Sequence, residues 1–178
     1  MTILFETERL VVRELEVDDL DDFYAITGDA ELSKYMGDRQ PLSREITQKW
    51  IDISINNYRT KGYGCSAVIA KDDGAFIGFC GLVYSDNIRP PVEAELIYAL
   101  LKRCWGRGLA TEVAGAMLTY GFEKCGLKRI MATIDPENTA SARVVTKAGM
   151  TFYKNEVYED GETTDFYVIT DGSSQFDL

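Results

Sequence analysis

The sequence predicts an α/β fold of the α+β kind, a mixed and largely antiparallel sheet flanked by helices, with elements in the order β-α-α-β-β-β-α-β-α-β-β. Three observations carry this expectation. Runs with strand-like apolar patterning are interleaved with runs whose apolar residues recur at helical spacing. Two turns, Lys71-Asp72-Asp73-Gly74 and Glu159-Asp160-Gly161-Glu162, each separate a pair of strand-like runs, as hairpin turns do. The stretch from Glu95 to Glu112 reads as strand, glycine turn and helix in succession. One domain spanning residues 1–178 holds all of it without a linker.

Taken in order, residues 7–15 form the first strand, with partly alternating character. Asp18 is a good N-cap for the helix that follows; its first turn is acidic through Asp22, and its Leu20, Phe23 and Tyr24 stripe ends at Gly28. Ser43 caps a second helix in which Ile46, Trp50 and Ile53 fall at i, i+4 and i+7, running to about Gly62. Between the helices, residues 33–41 are polar and punctuated by Gly and Pro. Residues 64–70 and 75–84 are the two strands of the Asp-Gly hairpin. A loop with Asn87, Pro90 and Pro91 leads to a strand that begins at Val92. Its period of two puts Glu93, Glu95 and Ile97 on one face, and Ala94, Leu96 and Tyr98 on the other. Leu109, Val113, Met117 and Tyr120 then mark a helix from about Gly108 to Lys124, stopped at Gly126. Residues 129–134 are a strand, 138–148 a short helix closed by Gly149, 150–158 and 163–169 a final hairpin, and 171–178 a frayed end.

Composition narrows the chemistry. The chain has no histidine, which removes Ser-His-Asp and Cys-His nucleophile systems and histidine-based metal sites together. Acid–base work falls to carboxylates, Tyr, Ser, Cys, Lys or water. Cys65, Cys80, Cys104 and Cys125 stand singly with no C-x-x-C pair, so neither a zinc knuckle nor a disulfide framework is suggested. A net charge of −10 argues against nucleic acid and is compatible with a cationic acceptor or a solvated acidic surface. No apolar run is long enough for a bilayer, and the start lacks the features of a signal peptide, so no membrane association is expected and a cytoplasmic location is.

The sharpest signal is the glycine turn. Gly106 and Gly108 lie where a helix begins, and the first N–H groups of a helix lack intrahelical acceptors while the macrodipole adds partial positive charge. Such an end holds anions. Two glycines let the backbone take positive φ and wrap a diphosphate closely, and Lys102, Arg103 and Arg107 add charge.

In the order Arg103-x-x-Gly106-x-Gly108-x-Ala110, this run resembles the acyl-CoA pyrophosphate loop of the GNAT superfamily of N-acetyltransferases. Trp105 and the Ala110-Thr111-Glu112 opening look like its ribosomal-protein-alanine N-acetyltransferase (RimJ/RimL-like) branch, as do the Thr7-x-Arg9-Leu10-x-Val12-Arg13 start and its acidic helix. Gly78 and Gly81 fit the family's I-G-x-x-G strand, and Asn138-x-x-Ser141 followed by Lys147-x-Gly149 resembles its second signature. The likeness covers nearly the whole chain and implies the GNAT fold.

It also implies acetyl-CoA as co-substrate, with no metal, and a primary amine that attacks the thioester directly in a ternary complex. Backbone groups of Ile97, Tyr98 and Ala99 would face the pantetheine; the loop through Arg103, Cys104, Trp105, Gly106, Arg107 and Gly108, with the helix start at Leu109, Ala110 and Thr111, would cradle the diphosphate. For the base, Glu95 stands first and Glu93 second, directly or through a water. Asn138 would anchor pantetheine or a water while capping its helix, and Ser141 would meet the sulfur. The tyrosine often found on this helix is replaced at Val145, leaving the thiolate acid to Ser141 or solvent; Met150 stands where Phe usually follows the glycine. Tyr35, Met36 and Trp50 are the candidate acceptor contacts. The acceptor, a protein N-terminus or a small amine, is open. So is a homodimer through the last hairpin. A Rossmann reading fails because Thr111 occupies the third glycine position and several residues part the strand from Gly106. The alternative from another class is a non-catalytic acyl-CoA sensor or interaction domain of the same fold.

Overall fold

The computed structural model describes residues 1–84 and 93–172; the expected loop through Asn87, Pro90 and Pro91, the strand start at Val92 and the tail from residue 173 lie outside them. In chain order the elements are β1 (Ile3–Glu6), β2 (Leu10–Glu14), α1 (Leu20–Thr27), α2 (Arg44–Lys61), β3 (Cys65–Ala70) and β4 (Phe76–Val83). They continue as β5 (Ala94–Leu100), α3 (Leu109–Glu123), β6 (Arg129–Ile134), α4 (Thr139–Lys147), β7 (Thr151–Val157) and β8 (Thr163–Thr170). The strands make one sheet in the order β1-β2-β3-β4-β5-β6-β8-β7. All neighbours pair antiparallel except β5 and β6.

This is the mixed, largely antiparallel sheet the sequence predicts, with one strand more. The unforeseen β1 pairs antiparallel with β2, Phe5 opposite Val12 and Glu6 opposite Val11. Phe5 rests against Tyr120 of α3 at 5.7 Å between ring centroids, so the strand is held by a contact remote in sequence rather than by its own patterning.

Two further expectations are corrected. Asp18 does not cap α1. The chain enters through a single 3-10 turn, Val17–Asp19, in which the Glu16 N–H donates to Asp19 Oδ2 at 2.7 Å. Asp19 is drawn inward because Arg13 of β2 grips both its carboxylate oxygens, at 2.7 and 2.6 Å. On α2, Ser43 is the N-cap, but the Ile46, Trp50 and Ile53 stripe faces solvent, at 43%, 38% and 57% exposure. The buried face is Thr47, Ile51, Ser54 and Tyr58. Two of its polar members have partners: Thr47 Oγ1 lies 2.7 Å from Thr27 Oγ1, and the Tyr58 hydroxyl donates to the Gly64 carbonyl and meets Ser66. A polar side chain with a hydrogen bond can be buried at little cost, and hydropathy patterning does not see it.

The sheet separates two apolar layers. Leu10, Val12, Leu82, Val113, Met117 and Ile130 pack between the sheet and α3 with α4. Leu15, Phe23, Ile26, Ile51 and Phe79 pack under α1 and α2, where Phe23 meets Phe79 edge-on at 5.3 Å. Each such side chain contributes about 1.5–3 kcal/mol on burial.

Candidate active site

The site begins with a fork in the sheet. β5 pairs with β6 only at Ala94–Ile130 and Glu95–Met131, whereas β4 follows β5 all the way to Leu100 and β8 follows β6 to Ile134. The two parallel strands therefore part after Glu95. Along Ile97, Tyr98 and Ala99 the β6-facing edge of β5 has no ladder partner among the described residues, so backbone polar groups line an open wedge.

The wedge ends at the glycine turn. Lys102–Cys104 form one 3-10 turn that buries the Cys104 side chain, so this residue has only backbone to offer. Trp105 is 54% exposed, its indole N–H donating back to the Leu100 carbonyl at 2.7 Å. Gly106 and Gly108 have φ of +71° and +78°, values that other residues reach at a cost of roughly 1–2 kcal/mol. Among the described residues, a Cβ on Gly106 would meet nothing within 4 Å, and one on Gly108 only Arg9 Nη2 at 3.6 Å, so the glycines border open space there. Gly108 carries no capping side chain, which leaves the N–H groups of Leu109, Ala110 and Thr111 pointing out of the helix start. Arg103 and Arg107 are exposed on either side of the turn.

Glu112, in the first turn of α3, has a specific role. Thr7 Oγ1 donates to Glu112 Oε1 at 2.6 Å, Arg9 N–H to the same oxygen at 3.0 Å, and Arg9 Nε to Oε2 at 2.7 Å. Arg9 Nη1 also donates to the Arg107 carbonyl at 2.8 Å. Partial desolvation pushes the Glu112 carboxyl up, but the hydrogen bonds from Thr7 and Arg9 outweigh it and hold the carboxyl below its ordinary value. The stretch leading into β2 thus clamps the turn. The Thr7-x-Arg9 spacing was visible, without a sign of its distant partner.

Glu95 sits at the point of the fork, 6% exposed, its Oε1 accepting from Thr133 Oγ1 of β6. Glu93 is exposed and its Oε2 accepts from the backbone N–H groups of Lys128 and Arg129, the latter at 3.2 Å. The two carboxylates are held differently: Glu93 ties the joined end of the strands, and Glu95 reaches across the fork to Thr133. On α4, Asn138 Oδ1 accepts from Ser141 N–H at 3.1 Å, the N-cap its sequence suggests. The Tyr98 side chain crosses from β5 to Ser141, its phenol oxygen 2.6 Å from Ser141 Oγ and 3.2 Å from the Ser141 carbonyl oxygen. Burial raises the Tyr98 phenol, partly offset by this hydrogen bond. Val145, one turn on, is fully buried in the main core.

Of the three expected acceptor contacts, Tyr35 and Met36 are half-buried where the α1–α2 connection turns, Met36 against the lower core layer. Trp50 stands apart, with Ile46 and Ile53 on the outer side of α2. Sequence reasoning missed Arg39. This residue has φ of +62°, and its guanidinium spans from Asp135 Oδ2 to Glu162 Oε2, each at 2.6 Å. A shallow groove of about 470 Å³ runs between α4 residues Thr139, Arg143, Thr146 and Lys147 and β8 residues Asp165 and Tyr167. By helical spacing it lies on the opposite face of α4 from Ser141 and Val145, away from the wedge.

Comparison with known proteins agrees with the fold. Residues 9–151 match the profile of the acetyltransferase (GNAT) domain. The uncharacterized protein YkkB of Bacillus subtilis is 41% identical over 61% of this chain and 62% of its own length, so the chain spans less than two thirds of it. An uncharacterized N-acetyltransferase, p20 of Bacillus licheniformis, is 31% identical over 88% of this chain and 85% of that one. Among solved structures, the GNAT-family acetyltransferase of Bacillus anthracis superposes with a TM-score of 0.77 at 27% identity, covering 97% of this chain and 100% of that one. RimL, a ribosomal alpha-N-protein acetyltransferase in complex with coenzyme A, shares the fold with a TM-score of 0.79 at 17% identity, over 97% and 99% of the two chains. So does the spermidine N-acetyltransferase of Vibrio cholerae in complex with CoA and spermine, with a TM-score of 0.78 at 17% identity, over 93% and 98%. At equal identity these two carry different acceptors in their names, and the ribosomal-protein branch is not singled out.

Proposed function

Because the chain belongs to the GNAT acetyltransferase family, we propose that it transfers the acetyl group of acetyl-CoA to a primary amine, by direct attack with both substrates bound. The observation that carries this reading is the fork: it sets a desolvated carboxylate, Glu95, and a paired hydroxyl, Ser141, on either side of one opening that ends at the glycine turn.

The residues present fit the co-substrate. Open space beside Gly106, the outward N–H groups of Leu109, Ala110 and Thr111, and the exposed Arg103 and Arg107 suit a diphosphate. The β6-facing edge of β5 along Ile97, Tyr98 and Ala99, without a ladder partner among the described residues, suits the amides of a pantetheine arm, with Asn138 nearby on α4. Acetyl-CoA, when bound, supplies an acyl group activated as a thioester. Glu95 takes a proton from the acceptor's ammonium, directly or through a water, so that the free amine attacks, and Ser141 meets the departing sulfur. Glu93, engaged by two backbone N–H groups, is left out of the proton path. The acceptor enters from the α1–α2 side, past Tyr35, Met36 and the Arg39 bridge.

The decisive experiment combines calorimetric titration of acetyl-CoA with free-thiol release across a panel of small amines and N-terminal peptides. Binding with acceptor-dependent thiol release is the expected result. Binding without release across the panel favours a sensor of the same fold, and no binding overturns the reading.

A further inference from the structure

The geometry points to Tyr98 as a positioning residue on the leaving-group side: its phenol holds Ser141 so that the serine proton is presented to the thioester sulfur. This rests on the acetyl-transfer reading above and deepens it. Position 145, one turn along α4, is a valine packed in the core and brings no hydroxyl to the opening. The hydroxyl that Ser141 pairs with comes instead from Tyr98 of the facing strand.

A serine or threonine inside a helix commonly donates to the carbonyl four residues back. Thr146 does so on this same helix, to the Ala142 carbonyl at 2.8 Å. Ser141 lies in the first turn of α4, where no helical carbonyl stands four residues back, and it meets Tyr98, at 2.6 Å to its Oγ and 3.2 Å to its carbonyl oxygen. One set of heavy-atom positions therefore serves two hydrogen-bond arrangements. In the first, Tyr98 donates to the Ser141 carbonyl and accepts from the serine hydroxyl. In the second, Tyr98 donates to Ser141 Oγ, and the serine proton is free to turn into the wedge. Two hydroxyl rotations separate them, with no movement of backbone or ring. Negative charge on the sulfur favours the second arrangement, since only that one offers it a donor.

Tyr98 keeps its own proton throughout. Its burial disfavours the phenolate, so it remains a donor at every working pH. In the reaction the amine nitrogen bonds to the carbonyl carbon, the C–S bond breaks with its electron pair on sulfur, and the ammonium proton leaves through Glu95 or water. Ser141 hydrogen-bonds the sulfur without losing its proton, and the thiolate is protonated from solvent. Tyr98 thus acts through Ser141 and touches no reacting atom.

The test is a double-mutant cycle with Tyr98→Phe and Ser141→Ala, assayed with acetyl-CoA and the fastest amine of the panel. A hydrogen bond to a developing charge is worth about 1.5–3 kcal/mol, so Ser141→Ala lowers kcat roughly 10–150-fold at little change in KM. Tyr98→Phe lowers kcat by a smaller factor in the wild-type protein and by none in Ser141→Ala; in Ser141→Thr, which keeps the hydroxyl, its effect returns. In the free protein, the tyrosine ring-carbon NMR signal of Tyr98 shifts in Ser141→Ala and stays unionised beyond about pH 10, the ordinary phenol value. An equal loss from Tyr98→Phe in both serine and alanine backgrounds, or no loss in either, overturns the inference. An unmoved NMR signal does the same. Full turnover in Ser141→Ala instead removes Ser141 from the sulfur and overturns the inference, while the acetyl-transfer reading stands on that same turnover.

Discussion

Glu112 joins two parts of the chain that are far apart in sequence, taking three hydrogen bonds from Thr7 and Arg9 at the lead-in to β2. Its carboxyl is held below the ordinary value of 4.5, so the bonds stabilise the folded protein above that pH and are lost as pH falls through the lowered folded value. Glu112→Ala therefore costs about 1–2 kcal/mol at neutral pH, and the gap between variant and wild type in denaturant melts closes in acid. A gap that persists at low pH would show that packing, not the carboxylate, holds the turn. Glu95 is the other residue on which the proposed chemistry turns. Loss of a general base typically costs about 10²–10⁴ in rate, so Glu95→Gln should lose turnover on that scale while calorimetry shows acetyl-CoA affinity unchanged. Turnover equal to wild type would take Glu95 out of the mechanism.

Among the elements, the glycine turn and α3 act together. Gly108→Trp places a side chain at φ of +78° on the rim of the open space. The backbone cost is roughly 1–2 kcal/mol, so the fold survives with a lowered melting temperature, while acetyl-CoA binding measured by calorimetry is lost. Retained affinity would move the diphosphate away from this turn. The turn was legible in sequence because its information is local: two glycines, a strand before them and helical spacing after. The Asn138 cap and the hairpin at Gly74 were legible for the same reason, each set by a few adjacent residues. What was not legible depends on distant partners. The solvent-facing stripe of α2 reads as a core face until Thr27 and Ser66 are seen to satisfy Thr47 and Tyr58. Likewise β1 is short and weakly patterned, and it exists because β2 and Tyr120 are there to receive it. Tyr98 reads as an ordinary alternating strand residue, since nothing near it in sequence announces Ser141, 43 residues on.

At the scale of the whole molecule, the fork in the sheet opens both layers to one another, and something must fix the α1–α2 connection relative to the strands beyond it. Arg39 does this, reaching from that connection to the end of β6 at Asp135 and to the β7–β8 turn at Glu162. Its guanidinium is 44% exposed, so these ion pairs are worth on the order of 1 kcal/mol or less. Its backbone, at φ of +62°, costs a similar amount for any residue but glycine. The two terms nearly cancel, and substitutions separate them. Arg39→Ala loses the bridge and keeps the strain; Arg39→Gly loses the bridge and relieves it. Arg39→Gly should therefore melt about 2–4 °C above Arg39→Ala, the shift expected for roughly 1 kcal/mol in a chain of this size. Both variants should raise KM for the amine alike, because both release the proposed acceptor side, and neither should change acetyl-CoA affinity, because the glycine turn is clamped separately through Glu112. Equal melting of the two variants would mean that the connection relaxes out of the left-handed region once the guanidinium is gone. The bridge would then impose the backbone conformation, rather than the fold imposing it on Arg39.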